Sequence, residues 1–174
     1  MISTIAVEDT KFIFATNFSG NPEQDRFGDT RHKANLIIPD KAQADMLINE
    51  GVHVRATRPR QDDDPDTFEP EYFVPILVKY RTRDGQQVKY PPKVYLVSGR
   101  KKQLLDEDTV DILDHIRVKN VNCVLNPYMY DRQKEGVSLY VRTMYVEQDM
   151  DDDPYVDRYN FGAEEPGRVT ATPF

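Results

Sequence analysis

Cysteine is nearly absent. Cys123 is the only one in 174 residues, which excludes an intramolecular disulfide and any multi-cysteine zinc site. It lies in the apolar run Val121-Asn122-Cys123-Val124-Leu125 and is expected to be a buried, inert thiol. Long hydrophobic runs are missing as well. No apolar stretch approaches the ~18 residues of a membrane-spanning helix, and Met1–Lys11 lacks the basic and apolar segments of a secretory signal. A soluble protein of a reducing compartment, without membrane contact, is expected. Hydrophobic residues make up only 39%, and twelve prolines predict many loops.

Catalytic signatures are also absent. The three histidines, His32, His53 and His115, are scattered along the chain and read as structural. There is no glycine-rich phosphate loop, no nucleophile elbow and no zinc-protease helix motif. Asp62-Asp63-Asp64 and Asp151-Asp152-Asp153 are consecutive acids. Neighbours in a loop point in different directions, whereas a nuclease-type metal site needs carboxylates converging from separate strands. The chain is therefore expected to be no enzyme and to hold neither metal nor cofactor.

What is present is charge, unevenly distributed. Residues 147–174 contain eight acidic and two basic side chains, a net −6 out of −7 for the whole chain. The remaining body carries 21 basic against 22 acidic residues and is nearly neutral. Within that body, Lys79–Lys102 holds eight Lys or Arg against one acid, Asp84. This predicts a binding domain over residues 1–146 and a disordered acidic tail over 147–174.

The body reads as short strands broken by turns. Lys11–Phe18 alternates, with Phe12, Phe14 and Phe18 on one side, and Arg31–Ile38 reads as a half-buried strand. Asp40 caps a helix over Lys41–Asn49 that Gly51 stops. Val52–Thr57 is expected as a strand with Val52, Val54 and Ala56 inward, followed by an acidic loop over Gln61–Glu71. Asp84-Gly85 marks a hairpin between Pro75–Arg83 and Val88–Ser98, bent or at an edge because of Pro91-Pro92. Asp106–His115 reads as a second short helix. Val118–Leu125 and Gly136–Val146 are the strongest strands, joined by Asn126–Glu135. In the last strand Val137, Leu139, Val141, Thr143 and Tyr145 share one face, and Ser138, Tyr140, Arg142 and Met144 the other. Five to seven strands with two short helices, in no βαβ alternation, predict a mainly β protein built as a small mixed barrel.

Nucleic-acid binding has the strongest support. Single strands are held by a positive groove and by aromatic platforms on which bases stack. Both occur here in the same places. The first cluster is Lys79, Tyr80, Arg81 and Arg83, continued by Lys89 with Tyr90, Lys93 with Tyr95, and then Arg100, Lys101 and Lys102. The second is Tyr128, Tyr130 and Arg132 with Tyr140 and Arg142. Basic side chains would meet phosphates and tyrosines would stack on bases. No recognition helix carries the basic residues, so no base code is expected. The tail interleaves Asp151, Asp152 and Asp153 with Tyr155 and ends in Phe174. Aromatics have no purpose in a purely solubilising tail, so it is expected to bind partners. The rival readings are an acidic DNA mimic or inhibitor, and a partner-binding structural protein without DNA affinity.

The chain resembles the OB-fold single-stranded DNA-binding proteins encoded by bacteriophages. The resemblance rests on Arg31-His32-Lys33-Ala34-Asn35-Leu36-Ile37-Ile38-Pro39 followed by a short helix. It rests also on the closing pair Val118–Pro127 and Gly136–Val141, and on the acidic tail. Asp151-Asp152-Asp153-Pro154-Tyr155 and Pro173-Phe174 are similar to the acid-then-Pro-Phe ending of bacterial single-strand binders, with the acids and the final Phe set apart. The resemblance implies an OB barrel that coats single-stranded DNA, independently of sequence, during phage replication or recombination. It also implies that the tail recruits phage or host replication proteins in the cytoplasm of the infected cell.

Overall fold

The structure, a computed structural model, describes residues 4–21, 23, 31–82, 84–129 and 137–149. Alternating apolar residues give nine strands among these. They are β1 (Ile5–Thr10), β2 (Phe12–Asn17), β3 (His32–Ile38), β4 (Arg55–Ala56), β5 (Tyr72–Val78), β6 (Lys93–Ser98), β7 (Lys101–Leu105), β8 (Val118–Met129) and β9 (Val137–Gln148). The main sheet order is β1-β8-β9-β5-β3-β2. Its two ends, β1 and β2, are halves of one bent strand with only Lys11 between them, and the Ile37 N–H donates to the Lys11 carbonyl at 3.0 Å. The sheet is thereby rolled on itself. β3 and β5 are antiparallel, β5 and β9 parallel, and β9 and β8 antiparallel. This is the five-stranded Greek-key topology of an OB fold. Leu36, Ile38, Val74, Ile76, Leu125, Leu139 and Met144 fill its interior, all under 2% exposed.

The bend in the first strand has a visible cause. Asp9 (φ 53°) and Phe14 (φ 62°) are the described non-glycine residues with positive φ. Each falls where the ladder slips, between Val7 and Thr10 on β1 and between Ile13 and Asn17 on β2. A bulge of this kind bends a strand and re-aims its side chains. The expectation that Phe12, Phe14 and Phe18 share one side fails for this reason. Phe12 and Phe18 pack edge to face at 5.2 Å, while Phe14 turns outward.

α1 (Lys41–Asn49) forms as the sequence predicts. The Asp40 carboxylate accepts the Ala42 N–H at 3.0 Å, Ala44 and Leu47 are buried, and Gly51 takes φ +93° just beyond the end. The second helix is shorter than expected. Asp106 accepts hydrogen bonds from the backbone N–H groups of Asp108 and Thr109, which commits the first residues to a turn. Only Val110–Asp114 coils, as a 3-10 helix burying Val110 and Leu113 at the i, i+3 spacing of that helix.

Three strand expectations are corrected. Within Val52–Thr57 only Arg55–Ala56 forms a strand, Val52 makes a single parallel bridge to Val137, and Ala56 is exposed; β9 takes over that edge of β5 from Ile76. Asp84-Gly85 does make a tight turn, with Gly85 at φ +84° and Arg81 bridging Gln87. The flanks pair only next to the turn, where the Val88 N–H donates to the Tyr80 carbonyl at 3.1 Å and the Thr82 N–H to the Gln86 carbonyl at 2.7 Å; β5 and β6 themselves do not pair, and each runs parallel to β9. Pro91 and Pro92 lie just before β6 and cannot donate to a ladder. β6 instead forms a hairpin with β7 across Gly99 (φ +63°). Finally, β8 continues through Pro127 to Met129, where a connection was expected.

Candidate nucleic-acid interface

Strand parity decides which side chains face out. On β9, Val137, Leu139 and Val141 point inward, and so do Met144 and Val146. These two sets are of opposite parity. Leu125 pairs with Val141 and Val124 with Thr143, so Arg142 is the extra residue of a bulge. The sequence expectation holds before that point and reverses after it. Tyr140 and Arg142 face out, but Met144 is fully buried, and Thr143 and Tyr145 are partly exposed.

The outward side of β9 gathers aromatic rings and cations from four elements. Tyr128 on β8 is 62% exposed and meets Tyr140 edge to face at 6.0 Å. The Lys79 ammonium, just past β5, lies 5.8 Å from the centre of the Tyr140 ring. A recess of about 490 Å³ beside them is lined by Tyr90, Pro91, Lys93, Asn126 and Arg142. Lys89 sits 5.5 Å over Tyr90, whose ring is 84% exposed. Further along β9, Tyr95 and Tyr145 stack at 4.8 Å, and Lys102 lies 4.7 Å and 5.7 Å from the two ring centres. Cations over rings and open ring faces suit an anionic strand with planar bases. In an OB fold oligonucleotides lie on the face of the second and third barrel strands, here β3 and β5, and on neighbouring loops.

The profile of the family described as "Putative phage ssDNA-binding domain" matches residues 1–164. The chain belongs to this family. Among solved structures, the single-stranded DNA-binding protein from bacteriophage Enc34 in complex with ssDNA is similar in fold. It matches with a TM-score of 0.50 and 9% identity, over 84% of this chain and 87% of that one. Another structure of the single-stranded DNA-binding protein from bacteriophage Enc34 matches at 0.48 and 10%, over 91% and 90%. The single-stranded DNA-binding protein gp2.5 of bacteriophage T7 matches at 0.42 and 11%, over 87% and 97%. No curated protein sequence matches significantly.

Within this phage single-stranded DNA-binding domain, the structure sorts the residues nominated from sequence. Lys79, Lys89, Tyr90, Lys93, Tyr128, Tyr140 and Arg142 come together around the start of β9. Tyr95 and Lys102 join them through Tyr145, and Arg100 and Lys101 sit at the β6–β7 turn. Tyr80 does not belong to this surface. It is 8% exposed, packs edge to face on His32 at 5.8 Å, and its buried hydroxyl has no hydrogen-bond partner among the described residues. Burial, and then the charges of Asp106 and Glu107, push its pKa upward. A buried ring offers no face to a base, so Tyr80 is a core residue. Arg81 is exposed but engaged: its Nε donates to both Glu107 carboxylate oxygens at 2.7 and 2.9 Å, and its Nη1 to the Gly85 carbonyl at 2.9 Å. Arg83, Tyr130, Arg132, Asp151, Asp152, Asp153, Tyr155 and Phe174 lie outside the described residues.

Sequence reasoning missed Tyr145, which the alternation placed in the core. It also passed over a groove of about 1010 Å³ lined by Phe14, Phe73, His53, Arg55, Arg58 and Arg60. The signal for the groove was legible as three arginines within Arg55–Arg60. Phe14 was not legible, because nothing in a run of alternating phenylalanines announces a bulge. Cys123 is buried as expected, and burial pushes its thiol up to about 12, against a backbone hydrogen bond from Val7 that acts the other way. Among the described residues no cluster of His, Cys, Asp or Glu could hold a metal, and no helix is long and apolar enough to cross a membrane.

Proposed function

We infer that this domain coats single-stranded DNA without reading its sequence, with the strand lying along the outward side of β9. The observation that carries this reading is the Tyr128–Tyr140 ring pair, open to solvent beneath Lys79 and beside Arg142. Stacking accepts any base because every base has a flat face, and each stacked base contributes about 1–3 kcal/mol. Lys79, Lys93, Arg142 and Lys102 neutralise phosphates. The surface contains donors and rings but no helix that could enter a duplex groove, which favours single strands. The domain works by binding, not by catalysis. The Enc34 protein forms a complex with single-stranded DNA, and we assign the same ligand to this chain. The tail, with Asp151, Asp152, Asp153, Tyr155 and Phe174, competes with phosphates for the basic surface and recruits replication or recombination proteins inside the infected cell.

The test is a titration against single-stranded DNA, duplex DNA and RNA at several salt concentrations. Single strands of different sequence should bind with similar affinity and duplex should bind more weakly. The logarithm of affinity should fall linearly with the logarithm of salt, by about 0.7 per phosphate neutralised. Equal or tighter binding to duplex would sink the stacking account. A body with no affinity for nucleic acid would turn the reading to a partner-binding protein.

A further inference from the structure

Phe14 occupies a position that core packing does not explain. Its backbone is in the left-handed region at φ 62°, costly for a bulky side chain, and its ring is 63% exposed. The β2 bulge takes it out of the core that holds Phe12 and Phe18 and sets it edge to face with Phe73 at 5.2 Å. That pair forms one wall of the 1010 Å³ groove. The groove is also lined by Arg55, the cross-strand partner of Phe73, and by Arg58 and Arg60, none of which has a side-chain hydrogen bond or ion pair among the described residues. The groove also contains acids. The Asp63 carboxylate is engaged, accepting the Arg60 backbone N–H at 2.7 Å, and Glu71 stands at the neck of the acidic loop, where its carbonyl accepts the Thr57 N–H.

We propose that this groove is a second single-stranded DNA subsite, in which a base stacks on Phe14 and the flanking phosphates meet Arg55, Arg58 and Arg60. The proposal rests on the function inferred above and extends the strand's path. An exposed ring sharing a groove with guanidiniums that have no ion pair among the described residues fits a ligand with flat apolar faces and an anionic backbone, as a nucleotide has. The two subsites also share a surface. Phe73, Pro75 and Leu77 alternate along the side of β5 away from the barrel interior, where Pro75 is exposed and Phe73 and Leu77 are covered, and Leu77 is in register with Tyr140. Four residues of strand separate Phe73 from Leu77, about 13 Å at the usual rise. One DNA strand can therefore cross β5 from Tyr128 and Tyr140 to Phe14. The exposed Pro75, which cannot donate to a ladder, sits where the partner on that edge changes from β4 to β9.

The experiment uses the full chain and oligothymidines of increasing length, followed by fluorescence anisotropy. Phe14→Ala should weaken binding by about five- to a hundredfold for oligonucleotides long enough to span both subsites, and less for short ones. Arg58→Gln with Arg60→Gln should lower the salt slope by about 0.7 for each phosphate no longer neutralised. The chain has no tryptophan, so Phe14→Trp introduces a single reporter. Its fluorescence should be quenched by long oligonucleotides. Tyr140→Ala, in the first subsite, should weaken binding at every length. If Tyr140→Ala weakens binding but the Phe14 and arginine variants match the parent at all lengths and the indole is not quenched, the groove is not a DNA subsite. It would then serve a protein segment, such as this chain's own tail, and the function inferred above would stand. If Tyr140→Ala is also without effect, both readings fail together.

Discussion

Two tyrosines show how burial separates structural from functional side chains. Tyr80 and Tyr140 were nominated on the same grounds, a tyrosine among lysines and arginines. Tyr80 has left water without a hydrogen-bond partner among the described residues, and an unsatisfied buried hydroxyl costs about 1–3 kcal/mol. Tyr80→Phe should therefore raise stability by about 1 kcal/mol in urea unfolding and leave DNA affinity unchanged. A drop in stability would mean the hydroxyl has a partner. Tyr140→Ala should do the opposite, lowering affinity for single strands while the unfolding midpoint hardly moves. Cys123 gives a pH signature. Its thiol titrates at 9.0 ordinarily but at about 12 in the fold, because burial disfavours the thiolate. Above pH 9 the unfolded chain releases a proton that the folded chain retains, so its contribution to stability is complete below 9 and is lost toward 12. The slope is about 1.4 kcal/mol per pH unit. Cys123→Ala should flatten that part of the stability profile, and a thiol reagent at about pH 8, below the thiol's ordinary titration, should modify the native protein only as fast as it unfolds.

At the scale of elements, the bulges at Phe14 and Arg142 matter more than the regular ladders. The one at Arg142 inserts a single residue and reverses which side chains face out, whereas between Ile13 and Asn17 β2 takes four steps against two on β3, which turns Phe14 outward. On β9 this buries Met144 and exposes Tyr145 next to Tyr95. Met144→Ala should cost about 2–5 kcal/mol, as expected for truncating a fully buried side chain, and Arg142→Ala should cost little stability but weaken binding. Thermal unfolding and anisotropy on both variants separate these effects. If Met144→Ala proves neutral, β9 lacks the bulge and the uninterrupted alternation is right. The Asp114 carboxylate, accepting from the Phe18 and Ser19 N–H groups at 2.8 and 2.9 Å and from the Thr16 hydroxyl at 2.6 Å, ties the end of β2 to the 3-10 helix. It thereby steadies the strand that carries Phe14.

At the scale of the whole molecule, pairing in the sheet continues past residue 146. Val118 pairs with Gln148, Asn120 donates to the Glu147 carboxylate at 3.0 Å, and the Asp149 N–H donates to the Arg117 carbonyl. A truncation meant to spare the fold should therefore fall after Asp149. The removed segment still holds six acidic and two basic residues. We propose that it competes with phosphates for the Lys79–Lys102 surface, at the effective concentration on the order of mM that a short flexible linker provides. Its removal should tighten DNA binding at low salt, with the gain shrinking as the Debye length shortens. Weaker binding after truncation at low salt would make the tail part of the site instead of its competitor.

Much of this protein was legible in the sequence alone. Period-2 alternation in β3, β8 and the first part of β9, the Asp40 cap and the Gly51 stop are local, and each depends only on neighbouring residues. So does the coincidence of tyrosines with lysines that pointed to a single-strand binder. Tertiary structure decided the rest, because each remaining question concerned residues far apart in the chain. Tyr80 is buried because His32 lies across from it, 48 positions earlier by number. Arg81 is engaged because Glu107 reaches it from the turn before the 3-10 helix. β5 and β6 do not pair because both are claimed by β9. Phe14 and Tyr145 face out because closing the rolled sheet requires bulges in β2 and β9, and closure is a property of the whole sheet that no single strand encodes.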